Sequence, residues 1–425
     1  MARTPLQRPR GTQDILPADQ PYWRLMQQAA ERLAVRYGYR KIDTPIFEAT
    51  ELFSRSAGDA SDIVLKEMYT FTDRGERSLT LRPEGTAPIV RAYFEGGLTE
   101  EPQPVRLFYL GPYFRYGRPQ AGRFRQLHQL GVEVIGDDDP GLDVEAIQLA
   151  WSWFKELGLS GIGLQVNSIG DEVCRPAYRE LLRDYYRPLL PQLCADDQVR
   201  FERNPLRMLD CNVPADQRFK ADAPRIVDHL DAACAAAFEA VKAGLRGLDI
   251  PFALNPTLVR GLDYYTRTVF EGWHESLGGA QNALVGGGRY DGLAAELGFR
   301  STPGMGFAIG LDRTAVILKQ ERPGESDGLD VYAVTVSAED RGQVIELAST
   351  LRGHGFGVIV DTGEARLDAK LRKADRRGAR LALIVGPEER AHGQAILRDM
   401  RDKEQVSVGY GELPAAVGKR LDGRV

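Results

Sequence analysis

The segment Leu258-Val-Arg-Gly-Leu-Asp-Tyr-Tyr-Thr-Arg-Thr-Val-Phe270 concentrates chemistry that an ordinary β-hairpin does not need. Leu258 and the run Thr266–Phe270 alternate as a strand should. Between them Gly261 lets the chain bend, and Arg260, Asp263, Tyr264 and Tyr265 crowd one turn. A guanidinium suits an anionic ligand, and each tyrosine hydroxyl can donate or accept a hydrogen bond. Standing alone, the segment also fits a hairpin with a surface arginine.

A second set of polar residues shares one strand face. Period two along residues 123–136 sends Phe124, Leu130, Val132 and Val134 one way, to a core, and Arg123, Arg125, Gln129 and Glu133 the other. A long polar row beside a core is costly unless it is solvated or binds something. The preceding strand, Val105–Tyr116, carries Arg115 near its end. Arg313 falls near the start of a helix opened by Leu311-Asp-Arg313, where backbone N–H groups favour phosphate. Gly286-Gly-Gly-Arg-Tyr-Asp-Gly292 reads as a tight glycine turn into a helix. It is neither GxGxxG nor a P-loop with its lysine, so the nucleotide folds built on those motifs are unsupported.

The elements that must carry these groups follow from periodicity and breakers. Trp23, Met26, Ala30, Leu33, Ala34 and Tyr37 recur at helical spacing over 21–37, and Gly38 stops the helix. Lys41–Phe47 reads as a strand whose Pro45 must sit at an edge or a break, and this helix and strand together suit a subunit interface. Ser78–Arg82 is a strand, Pro83–Thr86 a turn, and Ala87–Glu95 a helix. Residues 171–247 read as a helical insertion between two halves of a sheet. Gly304–Gly310 is a glycine-spaced strand. The polar, breaker-rich run 321–328 marks a domain boundary. Beyond it, strands at 330–336, 358–361 and 381–385 alternate with helices at 339–353 and 366–377, as in a small α/β domain with a mostly parallel sheet.

Composition bounds the function. A chain of 425 residues is expected to hold two or three domains. Its net charge of −5 gives no global pull toward nucleic acid, but a local basic patch remains: Arg366, Lys370, Arg372, Lys373, Arg376, Arg377 and Arg380 fall on one helix and its end. No run reaches 18 apolar residues, and Met1-Ala-Arg-Thr-Pro lacks the apolar core of a secretory leader. Cys174, Cys194, Cys211 and Cys234 never form CxxC pairs, which ranks free thiols above disulfide or metal roles. A cytoplasmic protein without membrane contact is expected.

In this order, the pieces resemble the class II aminoacyl-tRNA synthetases, and among them the histidyl-tRNA synthetase family, from Arg10-Gly-Thr-Gln-Asp-Ile-Leu-Pro17 to the C-terminal domain. Helix 21–37 with Pro45 resembles motif 1, Phe114-Arg115 through Arg123-Phe-Arg-Gln126 motif 2, and Gly304 to Arg313 motif 3. Arg260-Gly-Leu-Asp-Tyr-Tyr265 and Gly287-Gly-Arg-Tyr-Asp-Gly292 are similar to the two histidine-site motifs of this family. The resemblance implies an α+β catalytic domain on an antiparallel sheet over 1–325, with the insertion at 171–247, and an anticodon-binding α/β domain over 329–425. It implies that Arg115 meets the α-phosphate of ATP, Arg313 the γ-phosphate, and that Arg123 faces the phosphates. Arg260 is implied beside the α-phosphate and the histidine carboxylate. Glu84, Thr86 and Gln129 are implied at the α-amino group, and Glu133 and Tyr265 at the imidazole, with Tyr264 and Tyr290 closing the pocket. Arg118, Gln120 and Arg125 would meet the acceptor end of histidine tRNA.

The same resemblance implies ATP as substrate with Mg2+, no metal held by protein ligands, and a homodimer. Two positions depart from the family pattern: Gly117 stands where class II enzymes usually carry glutamate, and Asp312 where glutamate is more frequent. The competing reading is a non-catalytic paralogue serving as regulatory subunit of ATP phosphoribosyltransferase. Such chains generally lose the histidine-site motif and the C-terminal domain, and both are kept here.

Overall fold

In a computed structural model of the chain, residues 5–57, 66–117, 122, 124–211, 213–277, 283–325 and 328–422 are described. Two compact units divide it, Met1–Glu325 and Ser326–Val425.

The first unit is built on an eight-stranded sheet. Its order is Arg40–Lys41, Val105–Phe114, Gln126–Ile135, Gly304–Gly310, Ala283–Arg289, Thr266–His274, Ile162–Ser168 and Ala253–Leu254. The six inner strands pair antiparallel, and only the two-residue edge strands pair parallel. One face carries helices Gln20–Arg36 and Pro140–Glu156, the first burying Trp23, Met26, Ala30 and Leu33 from its apolar stripe. Trp153 reaches across to give its indole N–H to the Met26 carbonyl at 3.2 Å, so the largest core side chain is also satisfied. The opposite face of the sheet carries Gln129, Glu133 and Arg260, together with helix Thr86–Glu95.

Two expectations are corrected here. Lys41–Phe47 is not one strand: Arg40–Lys41 joins the large sheet, and Phe47–Ala49 pairs with Ser78–Leu81 in a separate three-stranded sheet. Pro45 lies in the break, since it cannot donate to a ladder. Gly286–Arg289 is not a turn but the interior of strand Ala283–Arg289, followed by the short helix Leu293–Glu296. There, bare glycine backbone leaves room for side chains that cross the sheet face. Residues 171–247 do contain helices, at Arg175–Tyr186, Ala195–Arg203 and Ala232–Gly247, joined by 3-10 turns.

The second unit is a five-stranded sheet ordered Val358–Asp361, Leu329–Thr335, Ala379–Val385, Gln394–Asp399, Gln405–Gly409. The first three strands are parallel and the last two antiparallel, so the sheet is mixed rather than mostly parallel. The basic helix runs Leu367–Arg376. Lys370 does not join the exposed patch: it is 2% exposed and donates to the Thr335 carbonyl at 2.8 Å and hydroxyl at 2.9 Å. Lys373 reaches Asp361 at 3.1 Å.

Candidate active site

Two cavities adjoin on the polar sheet face, and both are lined by Arg115, Gln129, Arg260 and Gly286. The larger, about 210 Å³, adds Arg313 and Asp312 from the start of helix Leu311–Glu321 and Phe124, Leu127 and His128 from the neighbouring strand. The smaller, about 130 Å³, adds Glu84, Thr86, Tyr109, Tyr264 and Tyr265. Register explains why they meet. Gln129 pairs with both Gly111 and Gly310, so its side chain stands between two residues that have none.

The larger cavity is cationic. Arg115, one residue past its strand, is aimed by its Nε, which donates to the Pro83 carbonyl at 2.7 Å. Arg313 donates to the Ala283 carbonyl at 2.6 Å. Arg260 is paired with Glu271, and its Nε has no hydrogen-bond partner among the described residues. Asp312, 4% exposed, is held by Gln13 at 2.6 Å and by the His128 backbone N–H at 2.6 Å. Its carboxylate thereby ties the N-terminal Arg10–Pro17 segment to the cavity floor.

The smaller cavity is rich in hydroxyls. Glu84 sits at the N-terminus of helix Thr86–Glu95 and accepts from the backbone N–H groups of Thr86 at 2.6 Å and Ala87 at 3.1 Å. Burial raises its carboxyl, against those bonds and the Arg115 charge. Tyr264 and Tyr265 rings lie 4.8 Å apart, and Tyr264 meets Tyr290 edge-on at 6.0 Å. Beneath them Glu133 is fully buried, accepting from Thr86 Oγ1 at 2.9 Å, Tyr109 at 2.9 Å and Tyr290 at 2.6 Å. Burial pushes its carboxyl up to about 8, against those three hydroxyls. A Cβ at facing Gly306 would lie 1.9 Å from Glu133 Oε2, so the carboxylate fits only over bare backbone.

The polar row 123–133 therefore splits into three environments. Glu133 is sealed under the tyrosines, and Gln129 lies at the junction. Arg125, ahead of the strand, stacks its guanidinium 3.9 Å from the Tyr116 ring centre and donates to the Arg10 carbonyl at 3.3 Å. Arg118, Gln120 and Arg123 lie outside the described residues. Arg289, inside the second glycine-rich motif, turns away from both cavities. It is 1% exposed, pairing with Asp143 at 2.8 Å and bonding the Asp139 carbonyl at 2.7 Å.

Some residues of the site escape sequence reasoning. Tyr109 looks like one more strand aromatic, and Gln13 belongs to a segment without periodicity. Arg207 donates to the carbonyls of Arg260 at 2.9 Å and Gly261 at 2.6 Å and pairs with Asp263 at 3.3 Å, so the insertion holds the Arg260–Asp263 turn. The only available signal for Arg207 was the apolar, proline-bearing run Asn204–Asp210 inside an otherwise polar helical stretch.

The arrangement offers cations converging on one end and a carboxylate-and-hydroxyl pocket on the other, with Arg260 between. Comparisons with known proteins give the family of the chain. A family profile described as histidyl-tRNA synthetase matches residues 11–314, and one described as an anticodon binding domain matches residues 330–420. Histidine--tRNA ligase of Moorella thermoacetica is 50% identical over 94% of this chain and 95% of its own length. The Pelotomaculum thermopropionicum ligase of the same name is 47% identical over 98% of each. The crystal structure of apo S. aureus histidyl-tRNA synthetase superposes with a TM-score of 0.82 at 36% identity, covering 97% of this chain and 99% of that one.

Proposed function

The chain belongs to the histidyl-tRNA synthetase family, and from that premise we propose how its residues share the work. It is an ATP-dependent ligase that joins histidine to ATP as histidyl-AMP, releasing pyrophosphate, and then transfers histidine to the 3′ end of histidine tRNA. The regulatory-subunit reading is not favoured, because relatives at 47–50% identity over nearly the full chain carry the ligase name.

In the first step a histidine carboxylate oxygen bonds to the α-phosphorus, and the bond to the oxygen bridging the α- and β-phosphates breaks. The attacking group is already ionised, so the demand is for positive charge and orientation rather than a strong base. We assign Arg115 to the α-phosphate and Arg313 to the γ-phosphate, with Arg123 alongside. Arg260 is assigned to the α-phosphate and histidine carboxylate together. Glu84, Thr86 and Gln129 take the α-amino group. Glu133 and Tyr265 take the imidazole, which offers one donor and one acceptor, and Tyr264 and Tyr290 close the pocket. The observation that carries this assignment is the sharing of Arg115, Gln129 and Arg260 by the two cavities. Magnesium enters as part of the ATP substrate.

Arg118, Gln120 and Arg125 are assigned to the tRNA acceptor end, and residues 329–425 to the anticodon, in keeping with the anticodon binding profile. A homodimer is supported by the exposed apolar side chains Ile46, Phe47 and Phe71, at 45, 52 and 43%, two of whose rings pack edge-on at 6.4 Å. No helix among the described residues is long and apolar enough to cross a membrane. We place the enzyme in the cytoplasm with its tRNA.

Amino-acid-dependent pyrophosphate exchange across the twenty amino acids tests the assignment. Histidine alone should support it. Exchange with another amino acid and none with histidine would overturn it.

A further inference from the structure

Two pairs of cysteine and aspartate in the insertion come together far from one another in sequence. Cys194 precedes helix Ala195–Arg203, and its side chain makes no capping bond. Asp197 is in that helix's first turn. Cys211 follows the 3-10 turn Pro205–Asp210, and Asp216 lies in the short helix Pro214–Gln217. The four candidate donor atoms all lie within 4.8 Å of one another. The two sulfurs are 3.9 Å apart, and Cys211 Sγ is 3.7 Å from Asp216 Oδ2. A tetrahedral zinc with metal–sulfur bonds of about 2.3 Å and metal–oxygen bonds of about 2.1 Å requires S···S and S···O edges of about 3.8 and 3.6 Å. The sulfur–sulfur separation and the Cys211–Asp216 separation match those edges.

The surroundings also fit. Asp197, Cys211 and Asp216 are 1, 2 and 3% exposed, so two carboxylates are packed with two thiols away from water. Buried carboxylates need a cation or strong donors, and thiols are weak donors. The outer contacts are those a thiolate–carboxylate site uses. Val213 N–H points at Cys211 Sγ at 3.5 Å, Cys194 N–H donates to Asp216 at 3.0 Å, and Arg200 donates to Asp197 at 2.9 Å. Lys220 donates to the Cys211 carbonyl.

We propose that Cys194, Asp197, Cys211 and Asp216 bind one divalent zinc ion, which clamps the loop Asn204–Asp210 against the catalytic body. Two thiolates select a borderline-soft ion over magnesium or calcium. The loop between the second and third ligands carries Arg207, which holds the Arg260 and Gly261 carbonyls, and Asn204, which donates to Asp263 at 3.1 Å. The metal thereby positions the turn that bears Arg260, without touching substrate.

The second cluster, Asp171, Cys174, Asp231 and Cys234, serves as an internal control. Its sulfurs are 3.8 Å apart, but its two carboxylates, Asp171 and Asp231, are only half-buried, so water can solvate them without an ion. Asp231 caps helix Ala232–Gly247 by accepting the Cys234 N–H at 2.7 Å, and Asp171 accepts the Val173 N–H at 2.9 Å and pairs with Arg267 at 3.5 Å.

The test uses the reduced full chain, stripped with a chelator and titrated with cobalt, then zinc. One equivalent of cobalt should give tetrahedral d–d absorption and a thiolate-to-cobalt charge-transfer band, both abolished by zinc. Cys211→Ser and Cys194→Ser should each weaken cobalt binding by at least about 100-fold, while Cys174→Ser keeps the full spectrum. Metal removal from the parent should raise KM for histidine in pyrophosphate exchange more than KM for ATP. The inference rests on the function proposed above only for this last readout, since cobalt binding is measured without activity. Absence of a thiolate–cobalt band in the parent chain would overturn the site whatever the variants do. So would a band that survives both Cys194→Ser and Cys211→Ser, or one lost on Cys174→Ser alone. A bound metal with unchanged KM for histidine on its removal would overturn the positioning role.

Discussion

Gly286 and Arg260 occupy one space: a Cβ built on Gly286 would lie 1.8 Å from Arg260 Nη2. The guanidinium therefore crosses the sheet between the two cavities only because that strand position has no side chain. Nothing near Gly286 demands a left-handed backbone, so its role is to leave room.

Arg260→Ala should cut histidine activation by roughly 10²–10³, because its charge matters most as the phosphoryl group gains electron density. Gly286→Ala should produce a similar defect by displacing the same group, and the double variant should be little worse than either single one. Pyrophosphate exchange measures the rate, and calorimetry shows whether histidine still binds. Exchange near the parent rate in Arg260→Ala would remove this residue from the chemistry.

Glu133 gives a pH signature. Its carboxyl is raised by burial from the ordinary 4.5 to about 8, so between those values the folded protein holds a proton that the unfolded chain has lost. The stability this group contributes is present at low pH and is lost as pH rises through about 8. The slope is at most about 1.4 kcal/mol per pH unit. Glu133→Gln should flatten the slope, as denaturant unfolding from about pH 5 to about pH 8 would show. The same variant should bind histidine more weakly.

Lys370 and Arg372 are neighbours on the basic helix with opposite expectations. Lys370→Ala strands the buried Thr335 carbonyl and should cost the C-terminal unit about 1–3 kcal/mol in unfolding experiments. Arg372→Ala should leave stability within about 0.5 kcal/mol and instead raise KM for tRNA. Equal stability losses in both would place Arg372 in the packing rather than on the RNA.

Ending the chain after Glu325 should leave a unit that still forms histidyl-AMP, because every residue assigned to ATP and histidine precedes it. Its tRNA charging should fall, and with it the salt dependence contributed by phosphate neutralisation. Exchange and aminoacylation are measured on the same preparation. Undiminished charging would deny the removed unit its anticodon role.

A homodimer should sediment at twice the 47.1 kDa of one chain at micromolar concentration. Phe47→Asp, at the exposed edge of the small sheet, should shift it toward a single chain. A parent protein that sediments as one chain would refute the assembly.

What the amino-acid sequence determines here is local or ordered along the chain. The apolar spacing of Trp23, Met26, Ala30 and Leu33 sets a helix, and the breakers at 321–328 mark the division between units. The excess of charge and hydroxyl in Arg260–Tyr265 marks the site, because a plain strand gains nothing from it. These signals repeat every two or three to four residues, or stand out against that repeat, so one chain suffices to see them. Pairing decided the rest. Gly304–Gly310 slots between Gln126–Ile135 and Ala283–Arg289, which brings Arg313, Gln129 and Arg260 around adjoining cavities. It also turns a run of glycines into strand interior under Arg260. Arg289 lies in a glycine motif and Lys370 in a basic run, yet both are buried, because partners distant in the chain, Asp143 and Thr335, satisfy them. The Cys194–Asp216 cluster was hidden for the same reason: an aspartate stands in for one sulfur of each pair, and only the folded loop brings the two pairs within bonding reach of one ion.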